Sequence, residues 1–150
     1  MFRHVLVPID GSPAALQAMK VAARFAREQR ARLTAFWAAP TWEPNMYAYA
    51  GAVPAGFISP RQHSAHARST ARRYLEAAKK VAVAAGASCR GLYVEGNIPY
   101  LEIIKAARRY RCDLIVMASQ TGGLPRVLLG SQTDKVLAHA PVPVMVTRHR

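Results

Sequence analysis

Two short stretches of this 150-residue chain hold residue types able to bind a phosphorylated ligand. One is Asp10-Gly11-Ser12-Pro13, directly after the apolar run Val5-Leu6-Val7-Pro8-Ile9. The other runs from Met117 to Ser131 and holds Gly122-Gly123 and Gly130-Ser131. Glycines leave backbone amides open to an anion, and a helix starting at Ser131 turns the positive end of its dipole toward one. A carboxylate such as Asp10 accepts hydrogen bonds from hydroxyls, those of a ribose among them. Each feature also has a plain reading. Ser131-Gln132-Thr133-Asp134 matches the S-x-x-D capping pattern, and Asp10 can simply organise its turn with Ser12. Neither G-x-x-x-x-G-K-[ST] nor G-x-G-x-x-G occurs, so spacing alone leaves both readings open.

Other chemistry is poorly supplied. No serine stands in G-x-S-x-G, and the eight acidic residues form no pair suited to acid–base work or a metal cage. His63 and His66 are three apart but lack a third ligand, and both read as surface residues. His139 closes a helix, where a cation is favoured, and His4 and His149 lie near the termini. Cys89 and Cys112 fall beside strand starts and read as small apolar residues, neither a disulfide framework nor a metal pair. No catalytic residue and no metal ligand set is assigned.

Lysine and arginine number 21 against eight acidic residues, a net charge of +13 that favours anionic partners. The basic residues are scattered, with no block of five or six. They read as a solvated basic surface, with a functional patch as the alternative. No apolar run approaches the ~20 residues of a membrane span. The opening residues lead into a strand with no small-residue cleavage site, so a cytoplasmic protein without a signal peptide is expected.

The elements that must position the candidate residues alternate in type. Strands are expected at Val5–Ile9, Leu33–Ala38, Arg90–Val94, Asp113–Ala118 and Val142–Val146. Between them the periodicity predicts a helix with Ser12 as N-cap and Pro13 at its first position, then helices over Ser64–Ala85, Ile98–Arg109 and Ser131–His139. Residues 39–62 break the pattern: Pro40, Pro44, Pro54 and Pro60 interrupt it, while Trp42, Tyr47, Tyr49 and Phe57 make it apolar. Loops this long are usually functional or mobile, so either a lid or partner-binding loop or a self-packed excursion is expected. The order predicts one α/β domain over 1–150, a doubly wound five-stranded parallel sheet with helices on both faces. Ligands of such sheets bind beyond the carboxyl ends of the strands where strand order reverses, here after the first and fourth strands.

Taken together, Val5-Leu6-Val7-Pro8-Ile9-Asp10-Gly11-Ser12, Val94-Glu95-Gly96-Asn97-Ile98-Pro99, Asp113-Leu114-Ile115-Val116-Met117-Ala118-Ser119, Leu128-Leu129-Gly130-Ser131 and Pro141-Val142-Pro143-Val144-Met145-Val146 resemble the universal stress proteins, in order and along the whole chain. The resemblance implies a Rossmann-like fold related to the adenine nucleotide α-hydrolases. It also implies a stress-response role, a cytoplasmic location and a homodimer paired through the last strand, Val142–Val146. One branch of the family binds ATP and carries G-x2-G-x9-G-[ST] after the fourth strand. Carried onto this chain, the nucleotide contacts are Pro8 and Asp10 after the first strand, Ala38 after the second, and Met117 and Ala118 at the end of the fourth. The phosphates would meet Thr121, Gly122, Gly130, Ser131 and Gln132, and Asp10 would hold the ribose or a magnesium ion on the phosphates.

The chain departs from that motif at its front. Gly130-Ser131 is intact, but Ala118 stands at the first glycine and Ala118-Ser119-Gln120-Thr121-Gly122-Gly123 is one residue short. A displaced amide forfeits a charge-assisted bond of roughly 1.5–3 kcal/mol. The leading expectation is a nucleotide-binding sensor or adaptor with a weakened phosphate loop; lacking a general base, it is at most a slow ATPase. The alternative is a homodimeric interaction module without nucleotide, recruiting an unknown protein partner. Nucleic-acid binding is the weakest reading, for want of a known motif or a linear basic array.

Overall fold

The structure, a computed structural model, describes residues 1–43, 58–119 and 130–148. In chain order these form β1 (His4–Pro8), α1 (Pro13–Gln29), β2 (Arg32–Ala39), α2 (Pro60–Ala84), β3 (Arg90–Glu95), α3 (Pro99–Arg109), β4 (Leu114–Ser119), α4 (Ser131–His139) and β5 (Val144–Arg148). All strand pairs are parallel, in the order β3-β2-β1-β4-β5. The chain builds outward from β1 through β2 to β3, then crosses to β4 and β5. The order therefore reverses between β1 and β4, as the sequence predicts.

Strand β4 is buried at every position, as a central parallel strand with both faces covered must be. One face of the sheet carries α1 and α2. Ala15, Ala22, Ala23 and Ala26 of α1 and Ala71, Ala78 and Ala82 of α2 belong to its core, their small side chains letting the helices pack closely. The other face carries α3 and α4 over Leu6, Phe36, Ile115 and Met117. Helix α1 begins as expected: Ser12 Oγ accepts from the Ala15 amide at 3.1 Å, with Pro13 in the first turn. Among the described residues no helix is long and apolar enough to cross a membrane.

Three expectations are corrected. Helix α2 starts at Pro60, four residues before the expected Ser64. Ser59 and Gln62 form a reciprocal capping box at 3.2 and 2.8 Å, so Pro60 starts a helix where it reads as a break. The excursion thus spans 40–59 rather than 39–62, and its residues 44–57 lie outside the described residues. His63 is buried, only 3% exposed, and its Nε2 donates to the Pro40 carbonyl at 2.7 Å, tying α2 to the end of β2. Strand β5 begins two residues later than Val142. Pro143 has no N–H to give a ladder, though its carbonyl accepts from the Ile115 amide at 3.0 Å.

The amino-terminal end of the sheet is closed by polar contacts. The Asp113 carboxylate accepts from the Arg3 and His4 amides at 2.8 and 2.9 Å. Burial opposes its charge, but these backbone bonds outweigh burial and hold its pKa below the usual carboxylate value. His4 is buried, with Nδ1 donating to the Tyr110 carbonyl at 3.0 Å and Nε2 accepting from the Thr34 hydroxyl at 2.8 Å.

Candidate functional site

At the opposite end, where strand order reverses, the carboxyl ends of β1, β2 and β4 and the first turns of α3 and α4 enclose a cavity of about 270 Å³. Pro8, Asp10, Ala38, Met117, Ala118, Gly130, Ser131 and Gln132 all line it. Residues drawn from four separate segments therefore converge on one space. Thr121 and Gly122 lie outside the described residues.

Each wall has a local cause. The backbone turns sharply after Ile9, and Gly11 takes φ +82° with the Tyr74 ring where a Cβ would stand. Only glycine admits both the conformation and that close approach. Asp10 Oδ1 accepts from the Ser12 amide at 2.9 Å, so the carboxylate does organise its turn while remaining exposed at the cavity rim. Gly130 is the N-cap of α4 at φ +94°, ψ +141°, a region nearly closed to other residues. It brings no side chain to satisfy the first-turn amides. The S-x-x-D pattern is thus corrected: Ser131 is the first helical residue rather than the cap, and Gly130 makes no side-chain capping bond.

Gln132 has a further duty. Its Oε1 accepts from the Tyr100 amide at 3.0 Å, supplying the cap that Ile98 cannot give to α3. Thr133 is buried, and its hydroxyl donates to the Ala118 carbonyl at 3.1 Å, fixing α4 to the end of β4.

Ile9 also lines the cavity, as do Ala15, Phe36, Trp37, Pro99, Ile103 and Thr133, which escaped the sequence reading. The signal for two of them was present: Phe36-Trp37 puts two aromatic rings at a strand end next to Ala38. The Trp37 ring meets Tyr74 edge-on at 5.3 Å between centroids, which holds one wall in place. Chemically the cavity offers apolar surface for a flat ring, one carboxylate at its rim and the open amino end of a helix. Among the described residues no three His, Cys, Asp or Glu side chains gather to hold a metal ion. The thiols take no part: burial pushes the Cys112 thiol up to about 11, with the neighbouring Asp113 charge adding to it, and burial also raises Cys89.

Comparison with known proteins agrees with this geometry. A universal stress protein of Methanocaldococcus jannaschii is 31% identical over 150 residues, covering 99% of this chain and 83% of the relative. The universal stress protein UspA of Lactobacillus plantarum superposes with a TM-score of 0.70 at 25% identity, over 98% of each chain. Two other structures of the same fold hold nucleotides. A universal stress protein in complex with cAMP matches at TM-score 0.67 and 24% identity, over 99% of this chain and 98% of that one. One from Archaeoglobus fulgidus in complex with dAMP matches at 0.65 and 18%, over 97% of each. The family model for the universal stress protein family matches residues 1–148, and the chain belongs to that family.

Proposed function

We propose that this chain is an adenine-nucleotide-binding sensor or adaptor of the stress response, acting as a homodimer. The observation that carries the reading is the convergence of Pro8, Asp10, Ala38, Met117, Ala118, Gly130, Ser131 and Gln132 on one cavity at the point where strand order reverses. The nucleotide complexes of two proteins of the same fold support it. In this reading the base lies between Pro8, Ala38 and Met117, and Asp10 accepts the ribose hydroxyls. The amides of Ser131 and Gln132 meet phosphate oxygens, where Gly130 leaves room and the dipole of α4 adds a favourable field. Asp134 in the same first turn opposes that field in part. Asp10 is the one carboxylate lining the cavity among the described residues and would face a magnesium ion carried on the phosphates. Thr121 and Gly122 would complete the phosphate site. Among the described residues no histidine, lysine or glutamate lines the cavity to act as a general base, and binding, with at most slow hydrolysis, is the activity proposed.

A second reading has its own support. Asp10 and Gln132 both hold structural hydrogen bonds, to Ser12 and Tyr100. A chain retaining these residues for the fold alone would be a nucleotide-free interaction module. Titration calorimetry with ATP, ADP and AMP separates the two, together with anion-exchange chromatography of the supernatant from denatured protein. The proposal expects co-purified nucleotide or saturable heat below millimolar concentration. Silence with all three nucleotides at 1 mM, from protein shown to carry none, hands the function to the interaction module.

A further inference from the structure

Fold places the basic residues unevenly. Helices α1 and α2, on one face of the sheet, carry nine lysines and arginines against Glu28 and Glu76. Helices α3 and α4, on the other, carry four against Glu102 and Asp134. More than half of the +13 net charge therefore sits on the α1–α2 face. Among the described residues a single ion pair falls there, Lys79–Glu76 at 3.4 Å.

The array on α2 is linear. Arg61, Arg68, Arg72 and Lys79 follow spacings of seven, four and seven. At 100° per residue all four lie within about 40° of one line, over roughly 27 Å of helix at 1.5 Å per residue. The three arginines are exposed, and Lys79 is half-exposed. On α1, Lys20, Arg24 and Arg27 line a groove against Val81 and Ala84 of α2 and its C-cap Ala85. Arg73 and Lys80 stand on the α2 crest between the two rows.

We propose that this face docks the phosphate backbone of nucleic acid, independently of base sequence, along the row Arg61, Arg68, Arg72 and Lys79. Six of the nine cations are arginine, whose planar fork matches phosphate oxygens two at a time. A straight row of charges suits a linear polyanion. Lipid docking would need an apolar anchor, yet the apolar stripe of α2, from Ala67 to Ala82, is buried on the sheet. Val83 is the only large exposed apolar side chain on this face among the described residues. The nucleotide cavity takes only Ala15 from α1 and nothing from α2, so the two surfaces are separate and their tests independent.

The test is fluorescence anisotropy with a labelled 20-base-pair duplex and a 20-nucleotide RNA at 50 and 200 mM salt. Four neutralised phosphates give a log–log slope near −3.6 for the duplex, a loss of roughly 150-fold in affinity across that range, and near −2.8, roughly 50-fold, for the single strand. With the duplex, the variant Arg61→Gln/Arg68→Gln/Arg72→Gln is expected to bring the slope to about −0.9, and Arg68→Gln alone to reduce it by about 0.9. A charge-matched control, Lys105→Gln/Arg108→Gln/Arg109→Gln on α3, is expected to leave it near −3.6. Circular dichroism and melting of each variant confirm the fold. The proposal is overturned by no binding at 50 mM salt, or by an equal loss in the α3 control. Binding of polyglutamate or anionic phospholipid vesicles as tight as that of the duplex overturns it as well.

Discussion

Replacing Gly130 by alanine tests the phosphate end of the cavity most directly. Gly130 stands at φ +94°, ψ +141°, where a residue with a Cβ carries roughly 1–3 kcal/mol of strain. The chain can hold the geometry and absorb that strain, or rotate the peptide planes ahead of Ser131 and relieve it. In the first case melting falls by roughly 2–12 °C, at 2–4 °C per kcal/mol for a chain of this size. In the second the amides of Ser131 and Gln132 turn away from the cavity. Losing one charge-assisted bond of roughly 1.5–3 kcal/mol weakens ATP by about 10- to 150-fold. Calorimetry and thermal melting on the same samples separate the outcomes. Ser131→Ala is the companion: that residue begins α4 without capping it, so stability should move by less than about 0.5 kcal/mol. If Gly130→Ala melts like the wild type, its strain relieved by rotation of those peptides, and still binds ATP like the wild type, the amino end of α4 does not hold the phosphates, and the proposed orientation of the nucleotide is wrong.

Inserting one glycine between Gln120 and Thr121 restores the family's loop length. Two regained bonds at roughly 1 kcal/mol net each should tighten ATP by about tenfold to thirtyfold, and unchanged calorimetry would show that the loop is not the limit. Strand β5 is an edge strand whose Val144, Met145 and Val146 are only half-buried, a hazard that pairing with a second copy removes. Light scattering should therefore give twice the chain mass at tens of micromolar, and Val144→Asp should give monomer or insoluble protein; a monomeric wild type refutes the dimer. His4 supplies a pH dependence. Burial, with Arg32 and Arg90 nearby, lowers its pKa despite the Tyr110 carbonyl and Asp113, so the unfolded chain takes up its proton first on acidification. Stability is then full above about pH 6.5 and falls below it, by at most about 1.4 kcal/mol per pH unit from this one group. Urea midpoints between pH 7.5 and 5 should show the fall and His4→Gln should flatten it; parallel curves for the two proteins would assign the acid sensitivity elsewhere.

Element type and order were legible because burial on two faces leaves a plain record. Val5-Leu6-Val7 and Leu114-Ile115-Val116 are unbroken apolar runs, and α1 alternates alanines with charges at helical period. Boundaries failed where a residue had two roles. Pro60 reads as a breaker inside a proline-rich stretch, yet followed by Arg61 and Gln62 it is the first position of a capped helix. Ser59-x-x-Gln62 was the available signal. His63 read as exposed because a helix from Ser64 leaves it outside, whereas a helix from Pro60 places it on the buried face with Ala67 and Ala71. From that face its ring reaches the Pro40 carbonyl.

The site divided along the same line. Backbone features were readable: a glycine before a helix, a turn after a buried strand and the reversal point of a doubly wound sheet follow from local pattern and connectivity. Side-chain commitments were not, because they join segments far apart in sequence. Gln132 could be placed near a phosphate by position. That its amide oxygen caps α3 at Tyr100 depends on how α3 and α4 pack, which no spacing within α4 reveals. The basic row follows the same logic in reverse. Arg61, Arg68, Arg72 and Lys79 look scattered along the chain and become collinear only once α2 extends unbroken from Pro60. Had the helix begun at Ser64, Arg61 would have stood outside it and the row would have had three members. The capping box at Ser59 therefore fixes the length of the charged array as well as the start of the helix. Ser59→Ala, at about 1 kcal/mol for a lost cap, should fray that first turn and lower the salt slope for nucleic acid by about 0.9.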